Sequence, residues 1–274
     1  MQSEPTDRHR SATENDWWTT YRGDSPIVAT AIHNGHAMRR DAQALVALSN
    51  EERRREEDPF TEFIIRDVTN RIIVHRSRFE VDLNRTRTGA VYLQPTQAWG
   101  LAVWREQPPP QLIEASLAVH DEYYAMLKST LAAIEQRHGR FVVLDVHSYN
   151  HRRQGPEAEP AQPAETPEIN IGTASMSRAK WADIIDAVIS TLSASKVCGR
   201  TLDVRENVAF QGRGEQTRFI HEHFPDSGCA IAIEFKKTFM DEWTGKPDLE
   251  ALRALRTLVA SLAPVLTDAL ARKR

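Results

Sequence analysis

Cysteine is nearly absent. The 274 residues hold two, Cys198 and Cys229, far apart and in no Cys-x-x-Cys pairing. They cannot make a thiolate metal site by themselves, and so few cysteines fit a reducing compartment. An apolar leader is missing too: the chain opens MQSEPTDRHRSATEND, polar throughout, so no signal peptide is expected. No run of about 18 apolar residues is found, so no transmembrane helix is expected and the reading is cytoplasmic. Neither sign of charge dominates. Lys and Arg total 35 against 38 Asp and Glu, a net charge of -3, and the basic residues are spread along the chain. That gives no electrostatic case for nucleic acid or an anionic membrane as partner. There is no internal repeat.

What remains is an ordinary soluble composition, 41% hydrophobic and 27% charged, long enough to bury a full core. Strand and helix signals alternate from residue 25 onward. FVVLDVHSYN, 141–150, runs apolar and then polar, as a strand buried on both faces does when it ends in a site. Further strands are expected at 27–32, 72–74, 78–83, 169–173, 202–204 and 229–235. Helices are expected at 60–68, 112–138, 179–195, 216–224 and 248–271, with Gly139 closing the second of these. The order predicts an α/β fold: a single doubly wound mixed sheet with helices on both faces. Residues 25–274 form the one domain in this reading. Residues 1–24 form a partly disordered tail, loose to about residue 16, with Trp17, Trp18 and Tyr21 packed onto the domain. The segment 151–168, HRRQGPEAEPAQPAETPE, lacks apolar periodicity and reads as a flexible insertion, either a flap or a tolerated loop. In the charge run EERRREED, residues 51–55 read as a solvated helix face.

Three groups of residues carry possible chemistry. His33 and His36 lie three apart at a strand end, and His147 ends the central strand. A hydrolytic zinc takes three nitrogen or oxygen ligands and keeps one position open, and these three histidines are the candidate ligands. Glu234 closes the apolar run CAIAI. A carboxylate there is costly to bury without a partner or a task. It is either an outward residue paired with Lys236 or Lys237, or a general base. Asn84 and Arg85 offer an amide beside a planar fork of donors that matches a carboxylate.

Together these stretches resemble the zinc carboxypeptidase superfamily. AIHNGH, VDLNRTRTGAVY, LDVHSYN and AIAIEFKKT follow the order of its zinc, carboxylate-binding, second zinc and catalytic-glutamate segments. Within it the chain is most similar to the N-formylglutamate amidohydrolase family, through the HNG turn, EEDPFT, DLNR, DVHSY, INIGT, NVAFQGRG and IAIEFKKTFMDEWTG, over roughly 25–245. The resemblance implies a carboxypeptidase-like fold and one zinc per chain on His33 and His147. It also implies Glu234 as the base that takes a proton from water, and Asn84 and Arg85 on the substrate's α-carboxylate. The reaction implied is hydrolysis of an N-acyl amino acid, N-formyl-L-glutamate to formate and glutamate. Arg78 is the candidate for the developing oxyanion. Position 36 departs from the superfamily, which has glutamate there. His36 keeps the spacing and stands as third ligand, with Glu57 or Asp58 as the alternative at the turn marked by Pro59 and Thr61. Arg78, Arg85, Arg87 and Lys236 or Lys237 suit a dicarboxylate. The other readings are a metallocarboxypeptidase acting on peptides, which needs a deep open groove, and a non-catalytic relative that binds an amino-acid derivative.

Overall fold

The computed structural model describes residues 11–272. One eight-stranded sheet runs through it. Its strands are β1 (Ser11–Glu14), β2 (Trp18–Arg22), β3 (Ile27–Ala31), β4 (Asn70–Val74), β5 (Phe141–Tyr149), β6 (Ile169–Gly172), β9 (Val204–Glu206) and β10 (Gly228–Lys236). A separate two-stranded hairpin holds β7 (Lys196–Val197) and β8 (Arg200–Thr201). The order across the large sheet is β1-β2-β4-β3-β5-β10-β6-β9. The middle four strands, β4, β3, β5 and β10, pair in parallel, and β2 and β6 join them antiparallel. This is the expected mixed sheet.

The strand residues divide by alternation, as a pleated strand dictates. On β5, Val142, Leu144 and Val146 join one core, while Phe141 and Val143 join the other. The first core takes α3 (Thr61–Ile64), α5 (Ala182–Ala194) and α7 (Leu249–Ala271). The second takes α4 (Pro110–His138) and α6 (Glu215–His223). Helices therefore cover both faces. Gly139 ends α4 at φ 77 as expected, where its missing Cβ removes the penalty of positive φ. By length and composition alone, α7 could cross a membrane. Here Leu252, Leu255, Val259, Leu262 and Leu266 bury one face of it in the core. Its exposed side carries Arg256, paired with Asp67 at 2.6 Å.

Three sequence expectations change. Residues 11–22, expected in the tail, form β1 and β2 and extend the sheet past β4. Thr19 and Thr20 are β-branched and buried, which suits a strand covered by α4. The part of that expectation at residues 1–10 lies outside the described residues. Residues 78–83 are a buried loop and not a strand. Their alternation is real, but both sides are buried. Phe79, Val81 and Leu83 enter apolar clusters, while buried Glu80 and Asp82 meet Arg39 and His33. The charge run is a solvated face only in part: Glu51 and Arg54 are exposed, but Arg53 is not. In α2 (Asn50–Glu56), Arg53 is buried and donates to the His36 carbonyl at 2.9 Å. The segment 151–168 is tied at both ends: His151 and Arg152 donate backbone N–H groups to Glu242, and Arg205 donates to the carbonyls of Pro163 and Ala164.

Helix α2 sets where the chain re-enters the site. It starts between α1 (Arg40–Leu45) and the sheet with a reciprocal cap. The Ser49 hydroxyl accepts from Glu52 N, and the Glu52 carboxylate accepts from Ser49 N. Ser49→Ala is expected to lower stability by about 1 kcal/mol, read as a lower midpoint in urea unfolding. An unchanged midpoint would show that the cap does not hold the helix start.

Candidate active site

The strand order reverses between β3 and β5. The chain leaves β3 for β4 on one side and later returns to β5 on the other. The carboxyl ends of strands at such a switch point open a crevice. His33 stands just past β3, His147 near the end of β5, and Glu234 near the end of β10. In the β5–β10 register Glu234 is the partner of His147. Alternation places both on the face shared by Phe141, Val143 and Ala230, the side of α4 and α6.

Among the described residues, ligand atoms of His33, Asp58 and His147 lie within 4.8 Å of one another, all three residues buried. One Asp58 oxygen, Oδ2, is 3.4 Å from His33 Nδ1 and 3.1 Å from His147 Nδ1. The other, Oδ1, accepts from the Ser148 hydroxyl at 3.2 Å. Asp58 owes its position to α2 and the turn after it. Its backbone N–H donates to the His33 carbonyl at 2.9 Å, and its own carbonyl accepts from Thr61 Oγ1 at 2.7 Å. The carboxyl end of α2 is closed by Lys237, whose buried ammonium donates to the carbonyls of Arg55 and Glu57 at 2.5 and 2.7 Å. A cation suits that end of a helix dipole.

Behind each histidine stands a second carboxylate. His33 Nε2 lies 2.8 Å from Asp82 Oδ1. His147 Nε2 lies 3.1 Å from Asp145 Oδ2. Both rings thus turn Nδ1 toward Asp58. Asp145 is oriented in turn by Thr30 Oγ1 at 2.9 Å and Gln216 Nε2 at 2.5 Å. Asp82 also takes Arg78 Nη2 at 2.8 Å, Asn84 N at 2.8 Å and the Tyr92 hydroxyl.

Titration follows from this arrangement. Burial works to raise Asp58 and Asp82, but the histidines around Asp58, and Arg78 with His33 beside Asp82, hold both well below the usual carboxylate range. Burial would discharge His147, yet Asp145 outweighs it and lifts the ring well above the ordinary histidine value. For Glu234 burial outweighs the pull of His147, and with Asp58 and Asp145 nearby its carboxyl is pushed up to about 7. His33, Asp58, Arg78, Asp145, His147 and Glu234 line a cleft of about 610 Å³, the size of a small-molecule site.

The N-formylglutamate amidohydrolase family profile matches residues 25–240. The chain belongs to that family. It is an amidohydrolase, and solved structures agree on the fold. An N-formylglutamate amidohydrolase from Ralstonia eutropha JMP134 superposes with a TM-score of 0.73 at 14% identity, over 92% of this chain and 96% of that one. A gene product of Agrobacterium tumefaciens gives 0.60 at 18%, over 92% and 91%. No curated protein sequence matches.

In this amidohydrolase, His33, His147, Glu234, Asn84, Arg85 and Arg78 all line the one cleft. His36 does not. Its Nδ1 is 2.6 Å from Glu57 Oε2 and its Nε2 is 3.1 Å from Arg53 Nη2. The neighbouring Glu57 is spent the same way, on His36 and on the Ser77 hydroxyl. Of the alternatives at the 57–58 turn, Asp58 comes in and Glu57 faces away. Sequence reasoning missed Asp82 and Asp145. Both had a signal: Asp82 precedes Asn84-Arg85 in DLNR, and Asp145 sits two before His147, on the same strand face.

Asp82 ties His33, Arg78 and Tyr92 together in a buried place. Asp82→Ala is expected to cost about 3–5 kcal/mol, because it strands the Arg78 guanidinium. Denaturant unfolding measures this, and a change below about 1 kcal/mol would show that Arg78 finds other compensation.

Proposed function

We propose that this amidohydrolase is zinc-dependent and hydrolyses the amide of an N-formyl amino acid, N-formyl-L-glutamate first. The observation that carries the metal is the convergence of two imidazole Nδ1 atoms and one carboxylate oxygen. Their spacings of 3.1 and 3.4 Å compare with about 3.3 Å between ligands at the corners of a tetrahedron with bonds of roughly 2.05 Å. His33 Nδ1 is buried without a hydrogen-bond partner. A buried nitrogen with nothing to bond, aimed at a carboxylate, is what a metal ligand looks like without its metal. Two imidazoles and a carboxylate are a catalytic donor set for zinc, and the hydrogen bond between His33 Nε2 and Asp82 fixes which nitrogen that ring offers. His33, Asp58 and His147 would hold the ion. When bound, zinc would polarise the substrate carbonyl and lower the pKa of water to about 7.

The chain's own residues supply the remaining work. Glu234, beside His147 in the register, is the base that takes the proton of the attacking water and passes it to the leaving amine. A pKa near 7 suits a base at neutral pH, and a nearby dication would lower it. Arg78 uses three N–H groups on Asp82, Tyr92 and the Glu56 carbonyl. The guanidinium has about two more, and in this reading they serve the charge that develops on the carbonyl oxygen. Arg85, half-exposed at the mouth and 3.9 Å from its nearest carboxylate, Asp82, takes the substrate's α-carboxylate with Asn84 beside it.

Two measurements test this reading. Protein purified without chelator should carry about one zinc per chain; chelation should abolish hydrolysis of N-formyl-L-glutamate and zinc should restore it. Protein that neither retains nor rebinds zinc, or that keeps full activity without it, overturns the proposal. Glu234→Gln should keep the zinc and lose turnover by roughly 10²–10⁴-fold. An unaffected rate removes Glu234 from the chemistry.

A further inference from the structure

The cleft is lined by more cations than the reaction above uses, and most are already spent. Arg78 is bound to Asp82. Arg153 is held on Glu56 at 3.0 Å. Arg218 is committed to Glu215 at 2.7 Å and Glu222 at 2.9 Å. The Lys237 ammonium caps α2. Two guanidiniums remain. Arg85 has no carboxylate nearer than 3.9 Å. Arg213 lines the same cleft, is exposed, and makes no ion pair or side-chain hydrogen bond among the described residues.

Arg213 is nonetheless held in place. Its backbone is pinned on both sides. Gly212 sits at φ +68, and a Cβ there would stand 2.3 Å from the carbonyl carbon of Gly172 in β6. A Cβ on Gly214 would stand 2.2 Å from Asn84 Oδ1. Only glycine tolerates the first approach, which is to backbone at a positive φ; at the second the Asn84 side chain would have to move. The loop is also sewn down by hydrogen bonds. Asn170 Oδ1 accepts from the backbone of Val208 and Ala209, both at 2.9 Å. Glu215 N donates to the Asn84 carbonyl at 3.0 Å. The loop that carries Arg213 therefore packs directly against the Asn84–Arg85 turn. Both guanidiniums line the one cleft, and each presents a fork of donors suited to a carboxylate.

The geometry points to Arg213 as the residue that reads a second carboxylate, so that the cleft selects an N-acyl amino acid with an acidic side chain. This rests on the reading of Arg85 as the α-carboxylate partner and gives the side-chain carboxylate its own. A neutral side chain of the same shape would leave Arg213 without an anion. Arg218 cannot serve instead, because its donors are taken by two glutamates of its own helix.

The test compares N-formyl-L-glutamate with its neutral isostere N-formyl-L-glutamine, in zinc-loaded wild type, Arg213→Ala, Arg213→Lys and Arg85→Ala. Arg213→Ala should cut the glutamate-to-glutamine ratio of kcat/KM by about 10- to 100-fold, the worth of a hydrogen-bonded charge pair, and should do so through KM. Arg213→Lys should restore part of the ratio. Arg85→Ala should lower both substrates and leave the ratio in place. A ratio that Arg213→Ala does not move overturns the assignment. Calorimetry with L-glutamate and L-glutamine separates this from failure of the hydrolase reading. If wild type turns over neither substrate, the hydrolase reading falls, and Arg213 then stands only if binding prefers L-glutamate and Arg213→Ala abolishes that preference. No preference, or one that survives the substitution, overturns it.

Discussion

Asp58 lies out of water with one oxygen between two imidazole nitrogens, and the rest of the site is arranged to keep it there. A lone buried carboxylate is costly. This one is compensated on one side by Ser148 and on the other by His33 and His147. The same end of the sheet also buries Asp82 and Asp145, with Glu234 at its edge. Arg78 answers for Asp82. The excess of negative charge that remains, centred on Asp58, is what a divalent cation would relieve.

The elements that deliver Asp58 are not the ones that deliver the histidines. His33 and His147 come from neighbouring parallel strands, where the switch in strand order opens a crevice. Asp58 comes from the turn after α2, hooked by its backbone to the His33 carbonyl. Lys237, one residue past β10, closes the end of that helix. The last central strand thus fixes both Glu234 and the helix that positions Asp58. The cleft's remaining charges follow the same economy: most of its cations are tied to carboxylates or carbonyls within the protein, while Arg85 has only a 3.9 Å contact to Asp82 and Arg213 makes no ion pair among the described residues.

The sequence was informative where chemistry follows from local pattern. The apolar runs of β5 and β10 are buried strands because both faces meet helices, and their polar ends are in the site because the sheet is doubly wound. His33, His147, Glu234, Asn84 and Arg85 were legible as polar groups at strand ends or in a donor-rich loop, and all line the cleft. His36 misled because spacing alone does not say where a ring points. Its two nitrogens were taken by Arg53, from the run that looked solvated, and by Glu57, itself an alternative ligand candidate. The alternation at 78–83 misled because a loop buried on both sides has the same pattern as a half-exposed strand.

By itself, then, the chain's pattern determined the α/β class, the course of the central strands and most of the residues at their ends, because periodicity and strand termini are local properties. Only the tertiary structure decided that Asp58 and not His36 faces the two imidazoles, that Asp82 and Asp145 stand behind the rings, and that Arg213 comes to lie against the Asn84–Arg85 turn. Those outcomes depend on groups 49, 89 and more than 120 residues apart meeting in one crevice, and pairwise competition for buried hydrogen bonds is settled only once every partner is in place.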